Sequence, residues 1–120
     1  MRVAILGTGL IGSSIGLRLH RTKAKEPIEV VGYDRYPDVA RQAQKIGAID
    51  AVRHTPQHAV EGADLVILAT PLLAIRRMME EIAGSVSPDA VITDAGSTKT
   101  EVLRWADELF PTHQGFVGGH

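Results

Sequence analysis

Apolar residues along this chain follow two alternating patterns: short unbroken runs, and longer stretches in which they recur every three or four positions. The runs predict strands at Arg2 to Leu6, Ile28 to Tyr33, Leu65 to Ala69, Ala90 to Asp94 and Gly115 to Val117, with a weaker one at Ala48 to Val52. Val3-Ala4-Ile5-Leu6 and Leu65-Val66-Ile67-Leu68-Ala69 are apolar throughout. Continuous apolar strands of this kind belong to parallel sheets buried on both faces by crossover helices. The helical spacing falls at Ile11, Ile15 and Leu19, at Val39, Ala43 and Ile46, at Ile75, Met78, Met79 and Ile82, and at Val102, Trp105, Ala106 and Leu109. Alternating strand and helix predicts an α/β fold, a doubly wound parallel sheet of about six strands with helices on both faces.

The junctions carry matching punctuation. Pro37 suits the first turn of the second helix and Gly47 its end, and Thr98 with Glu101 has the spacing of a capping box. Met78, Met79 and Trp105 lie on apolar faces and read as core. The cations Arg18, His20, Arg21, Lys23 and Lys25 gather at the end of the first helix, where they complement the negative end of its dipole.

At 120 residues the chain makes one domain, residues 1–120, with no internal repeat or linker. Such a length buries roughly two thirds of its unfolded surface. It has no Cys, which excludes disulfide scaffolds and cysteine zinc sites. No apolar run approaches a membrane span or a signal peptide, so a cytoplasmic location and no membrane partner are expected. With 13 Lys and Arg against 14 Asp and Glu, the net charge of −1 argues against nucleic acid as a partner. His54 and His58 have Pro56 between them and no acidic partners at ligand spacing, so no metal site is expected.

Gly7-Thr8-Gly9-Leu10-Ile11-Gly12 follows a predicted strand and opens a predicted helix, and Asp34 ends the next strand. Strand, glycines, helix, strand and terminal acid together describe a Rossmann-type dinucleotide-binding unit, with strand order 3-2-1-4-5-6. Gly7 permits the turn, Gly9 lets the backbone approach a pyrophosphate, and Gly12 allows close helix packing, a close face that Gly16 extends one turn further on. The unpaired N–H groups around Leu10 and Ile11 point at that pyrophosphate. Asp34 is placed to accept from the ribose hydroxyls of the adenosine half and would oppose a 2′-phosphate, so NAD is expected over NADP. Arg35 fits stacking on adenine, contact with a 2′-phosphate, or a solvated loop cation. Thr70-Pro71 ends another strand on the same edge, beside the nicotinamide half.

Asp94-Ala95-Gly96-Ser97-Thr98-Lys99 and Val117-Gly118-Gly119-His120 end two more strands on that edge. Hydride transfer from an alcohol carbon needs a group to take the hydroxyl proton, and the ordinary pKa of His near 6.5 suits it. His120 is the candidate, with Ser97 orienting the imidazole or the substrate hydroxyl.

GTGLIG at Gly7 to Gly12, Asp34, ATP at Ala69 to Pro71, DAGSTK at Asp94 to Lys99 and VGGH at Val117 to His120 make the chain resemble the prephenate and arogenate dehydrogenases along its whole length. The resemblance implies NAD-dependent oxidative decarboxylation of prephenate or arogenate in tyrosine biosynthesis, with His120 and Ser97 catalytic and Gly96 and Ser97 near the cofactor. It also implies a further α-helical domain that makes a homodimer and clamps the substrate carboxylates. The chain is therefore expected to be the cofactor-binding part of that enzyme, with little turnover alone. The alternatives are a dehydrogenase of the 6-phosphogluconate or β-hydroxyacid type, whose catalytic Lys lies in a later domain, and an NAD-sensing domain without chemistry.

Overall fold

The computed structural model describes residues 1–22 and 26–95 and the backbone of 116–117. The strands are β1 (Arg2–Leu6), β2 (Glu29–Tyr33), β3 (Ala51–Val52), β4 (Leu65–Leu68), β5 (Val91–Asp94) and β6 (Phe116–Val117). The helices are α1 (Leu10–Arg21), α2 (Pro37–Lys45), α3 (Pro56–Val60) and α4 (Leu72–Ile82). The strands form one sheet in the order β3-β2-β1-β4-β5-β6. Every pairing is parallel, with Val3 opposite Val30 on one side and Leu65 on the other. This is the Rossmann-type sheet the alternating pattern predicts. Its order reverses at β1, which opens a crevice between the exits of β1 and β4.

The unbroken apolar strands supply both sides of the sheet because successive side chains point to opposite faces. Ala4, Leu6, Val66 and Leu68 join Val60, Ile75, Met79 and Ile82 in the core under α3 and α4. Val3, Ile5, Val30 and Ile67 join Ala43, Ala48 and Ile49 in the opposite core, with Ile15, Leu17 and Leu19 packed against it.

Several expectations need correction. The first helical stripe does not bury Ile11, which is 56% exposed; the buried residues of α1 are Gly12 and Gly16. A Cβ on Gly16 would overlap the carbonyl of Ala48, so α1 approaches the sheet through missing side chains. In α2 the buried residues are Ala40 and Ala43, and Ile46, at the C-cap, is exposed. The strand expected over Ala48 to Val52 shrinks to β3, because Asp50 meets β2 through its own N–H to the Val30 carbonyl (2.7 Å) and its Oδ2 accepting from the Val30 N–H (2.8 Å). Hydrophobic periodicity does not register α3, a five-residue helix whose Thr55 cap accepts from the His58 N–H and whose first residue is Pro56.

Other local readings hold. Pro37 opens α2 and Gly47 closes it at φ +83°. The Ala48 N–H reaches the Ala43 carbonyl and the Gly47 N–H reaches that of Gln44, the paired bonds of a Schellman end. Arg18, His20 and Arg21 occupy the last turn of α1. Lys23, Lys25, the Thr98/Glu101 box and the stripe from Val102 to Leu109 lie outside the described residues.

Candidate functional site

The loop between β1 and α1 is built by close backbone approach. Gly7 sits at φ +99°, and a Cβ there would lie 2.8 Å from the Ala69 carbonyl carbon. Its N–H donates to the Tyr33 carbonyl at 2.8 Å, tying the loop to β2. Thr8 turns inward and is buried, donating its N–H (2.8 Å) and its hydroxyl (3.3 Å) to Asp34 Oδ2. Its carbonyl accepts from the Ser13 hydroxyl at 2.8 Å. Asp34 Oδ1 accepts from the Tyr36 N–H at 2.9 Å.

Gly9 caps α1 with no side-chain bond, and the first turn carries no acidic residue. Within the helix itself, then, no side chain caps or charges its positive end. A Cβ on Gly9 would meet nothing within 4 Å. The space above it belongs to a cleft of about 920 Å³. One wall is Tyr33, Asp34, Arg35 and Tyr36 from the end of β2; the other is Thr70, Pro71 and Leu72 followed by Ala74, Arg77, Met78 and Glu81 of α4. Leu10 and Ile11 line it at the helix start, and Leu10 is 87% exposed. Arg35 stands 5.7 Å from the centre of the Tyr36 ring.

Burial, with the Glu81 and Asp34 carboxylates adding to it, pushes the Tyr33 phenol above its usual value. It is therefore a neutral hydroxyl at ordinary pH. Thr70 contributes an Oγ1 that is buried with no hydrogen-bond partner among the described residues. An uncapped helix start, open space over Gly9, an acid on one wall and an orphaned hydroxyl on the other together fit an extended anionic nucleotide.

The structure thus brings Gly7, Thr8, Gly9, Leu10, Ile11, Gly12, Asp34, Arg35, Thr70 and Pro71 to one sheet edge. Gly12 serves packing, since a Cβ there would overlap the Gly7 carbonyl. Asp94 is buried at the end of β5, and Ala95 borders the cleft. Gly96, Ser97 and His120 lie outside the described residues. Sequence reasoning missed Tyr33, Tyr36 and the α4 residues Ala74, Arg77, Met78 and Glu81. The four-residue spacing of Arg77 and Glu81 was the available signal; Arg77 Nε lies 3.7 Å from Glu81 Oε1. Among the described residues no group of three metal-ligating side chains is present, and no helix is long and apolar enough to cross a membrane.

Fold and cleft define a nucleotide-binding domain of the dehydrogenase type. Residues 15–120 match the family model of the prephenate dehydrogenase nucleotide-binding domain, and the chain belongs to that family. A prephenate dehydrogenase of Lactococcus lactis subsp. cremoris is 42% identical over 99% of this chain and 33% of its own length. The Synechocystis arogenate dehydrogenase superposes with a TM-score of 0.87 at 28% identity, over 100% of this chain and 40% of that one. A prephenate dehydrogenase from A. aeolicus, in complex with hydroxyphenyl propionate and NAD+, gives 0.86 at 28% identity, over 100% of this chain and 41% of that one. The chain therefore spans about a third of the length of the curated relatives it matches.

Proposed function

We propose that this chain is the NAD-binding domain of a dehydrogenase that oxidatively decarboxylates prephenate or arogenate on the route to tyrosine. The observation that carries the reading is the uncapped start of α1, with open space over Gly9 and Asp34 on the facing wall. Family membership and the NAD+ complex of the A. aeolicus relative support the choice of cofactor and reaction.

In this reading the N–H groups of Leu10 and Ile11 receive the pyrophosphate in the turn made by Gly7, Gly9 and Gly12. Asp34 accepts from the adenosine ribose and disfavours a 2′-phosphate, so NAD is used in preference to NADP. Arg35 lies beside the adenine, and Thr70, Pro71 and Gly96 border the nicotinamide half. When bound, NAD supplies the hydride acceptor. His120 takes the proton of the ring hydroxyl as hydride leaves the carbinol carbon, and Ser97 holds hydroxyl and imidazole in register. The electron pair of the breaking carbon–carboxylate bond enters the ring, which becomes aromatic as carbon dioxide departs.

The relatives are about three times as long as this chain, and in this proposal the additional polypeptide supplies the cations that clamp the substrate carboxylates and the surface that makes a homodimer. The 120 residues alone then bind NAD with little or no turnover. The test is NADH formation by the full-length protein with prephenate and arogenate in parallel, NAD and NADP each supplied, repeated with His120→Asn. Activity that collapses in the variant is expected. Silence on both acids with NAD binding intact would overturn the tyrosine-pathway reading and favour a β-hydroxyacid dehydrogenase.

A further inference from the structure

We infer that Thr8 is a positioning residue that acts through Asp34, joining the ribose reader and the pyrophosphate cradle into one unit. The inference rests on the NAD-binding reading above and deepens it.

Thr8 and Asp94 are the polar residues buried as a whole among the described residues, and Thr8 is 2% exposed. A buried hydroxyl without a partner is costly, so its bond partner matters. Both donors of Thr8, the N–H at 2.8 Å and the hydroxyl at 3.3 Å, go to the same oxygen of Asp34. Its carbonyl is held from the helix side by the Ser13 hydroxyl at 2.8 Å. Its methyl lies over Gly32, where a Cβ would stand 2.9 Å from Thr8 Cγ2. Thr8 is thereby fixed to β2 below, to the carboxylate beside it and to α1 behind it.

A carboxylate has about four lone-pair sites. Thr8 takes two on Oδ2, and the Tyr36 N–H takes one on Oδ1. The face of Asp34 left for a ribose is therefore the remaining part of Oδ1, and its direction is set by Thr8. The same bonds set where Gly9 and the first N–H groups of α1 stand. Asp34 thus does two jobs: it reads the sugar, and it holds the loop that receives the phosphates. Replacing it to admit NADP would loosen the phosphate site for both cofactors.

The experiment is a double-mutant cycle on the full-length protein, with NAD affinity read by calorimetry and folding checked by the thermal midpoint. Thr8→Val keeps the N–H and the shape but removes the hydroxyl, and is expected to weaken NAD about tenfold, the worth of a hydrogen bond to a charged acceptor. Thr8→Ser restores the donor and is expected to bind like wild type. In an Asp34→Ala background, Thr8→Val is expected to cost nothing further, whereas a merely structural role would cost the same in either background. Should Thr8→Val fail to fold, Ser13→Ala decides, with about fivefold weaker NAD expected for the loss of a neutral hydrogen bond to Thr8. Wild-type affinity in Thr8→Val, additive losses in the cycle, or an unaffected Ser13→Ala would each overturn the positioning role while leaving NAD binding intact. Failure of the wild type to bind NAD would instead remove the proposed function.

Discussion

A Cβ on Gly12 would overlap the carbonyl oxygen of Gly7, whereas one on Gly9, three residues earlier, would meet nothing within 4 Å. Two glycines of one motif therefore serve different ends. Gly12→Ala has only backbone to push against and is expected to cost about 3 kcal/mol, lowering the thermal midpoint by on the order of 10 °C. Gly9→Ala is expected to melt within about 2 °C of wild type yet bind NAD more than tenfold weaker, because its methyl enters the open space where the proposed function seats the pyrophosphate. Calorimetry of the two variants separates these roles.

Stability should depend on pH through His20. Its Nδ1 lies 2.8 Å from the Gly16 carbonyl and its Nε2 3.0 Å from Asp50 Oδ1, so both nitrogens face acceptors. The Gly16 carbonyl raises the pKa above 6.5 most, burial opposes it, and Asp50 adds to the rise. A raised folded-state pKa gives stability that is complete below the unfolded value of 6.5 and is lost as pH climbs through the folded one. The urea midpoint of wild type should therefore exceed that of His20→Ala most at mildly acidic pH, and the gap should narrow in mild alkali. A gap that is constant or widens with pH would contradict this.

Thr70 carries a buried hydroxyl without a partner among the described residues. Thr70→Val removes a polar group that no described residue satisfies, of a kind that costs about 1–3 kcal/mol when unmet, while keeping the shape. The variant is expected to melt at or above the wild-type temperature. Its NAD affinity should fall severalfold if the cofactor satisfies that oxygen, a trade-off that melting curves with and without NAD would reveal.

Gly47 ends α2 at φ +83°, with nothing near its missing side chain. The cost of Gly47→Ala is therefore purely conformational, about 1 kcal/mol. NAD affinity should be unchanged, because this helix end lies away from the cleft. Chemical denaturation and a binding titration check the two halves of the statement.

Burial of the sheet on both faces was legible because Val3 to Leu6 and Leu65 to Leu68 carry no polar alternation, and the strand order followed from the dinucleotide-binding context of the glycine motif. The glycine motif was legible because its context was complete, from strand to terminal acid. The first helical stripe held at Ile15 and Leu19, which pack against the core, and misled at Ile11, which stays in solvent because α1 makes its closest approach through Gly12 and Gly16. Hydrophobic periodicity does not register a surface made of absent side chains. The helix α3 is too short for a period, and only its Thr55-Pro56 start marked it. Asp34 was legible as an acid at the end of β2, where it lines the cleft, but its bonds to Thr8 and Tyr36 depend on how two loops meet. The α4 wall of the cleft is likewise a matter of packing, because Arg77 and Glu81 look like an ordinary surface pair in the sequence.

The placement of β1 between β2 and β4 also governs how the polypeptide comes into being. Val3 meets Val30 early in synthesis but must wait for Leu65 to close its other side. Until then a newborn chain offers an apolar strand with an open row of backbone donors and acceptors, a surface on which other chains can assemble. Parallel pairing over such long stretches is also intrinsically slow. The molecule is thus most vulnerable to aggregation between the emergence of its second strand and that of its fourth, and cellular folding assistance would matter most in that interval.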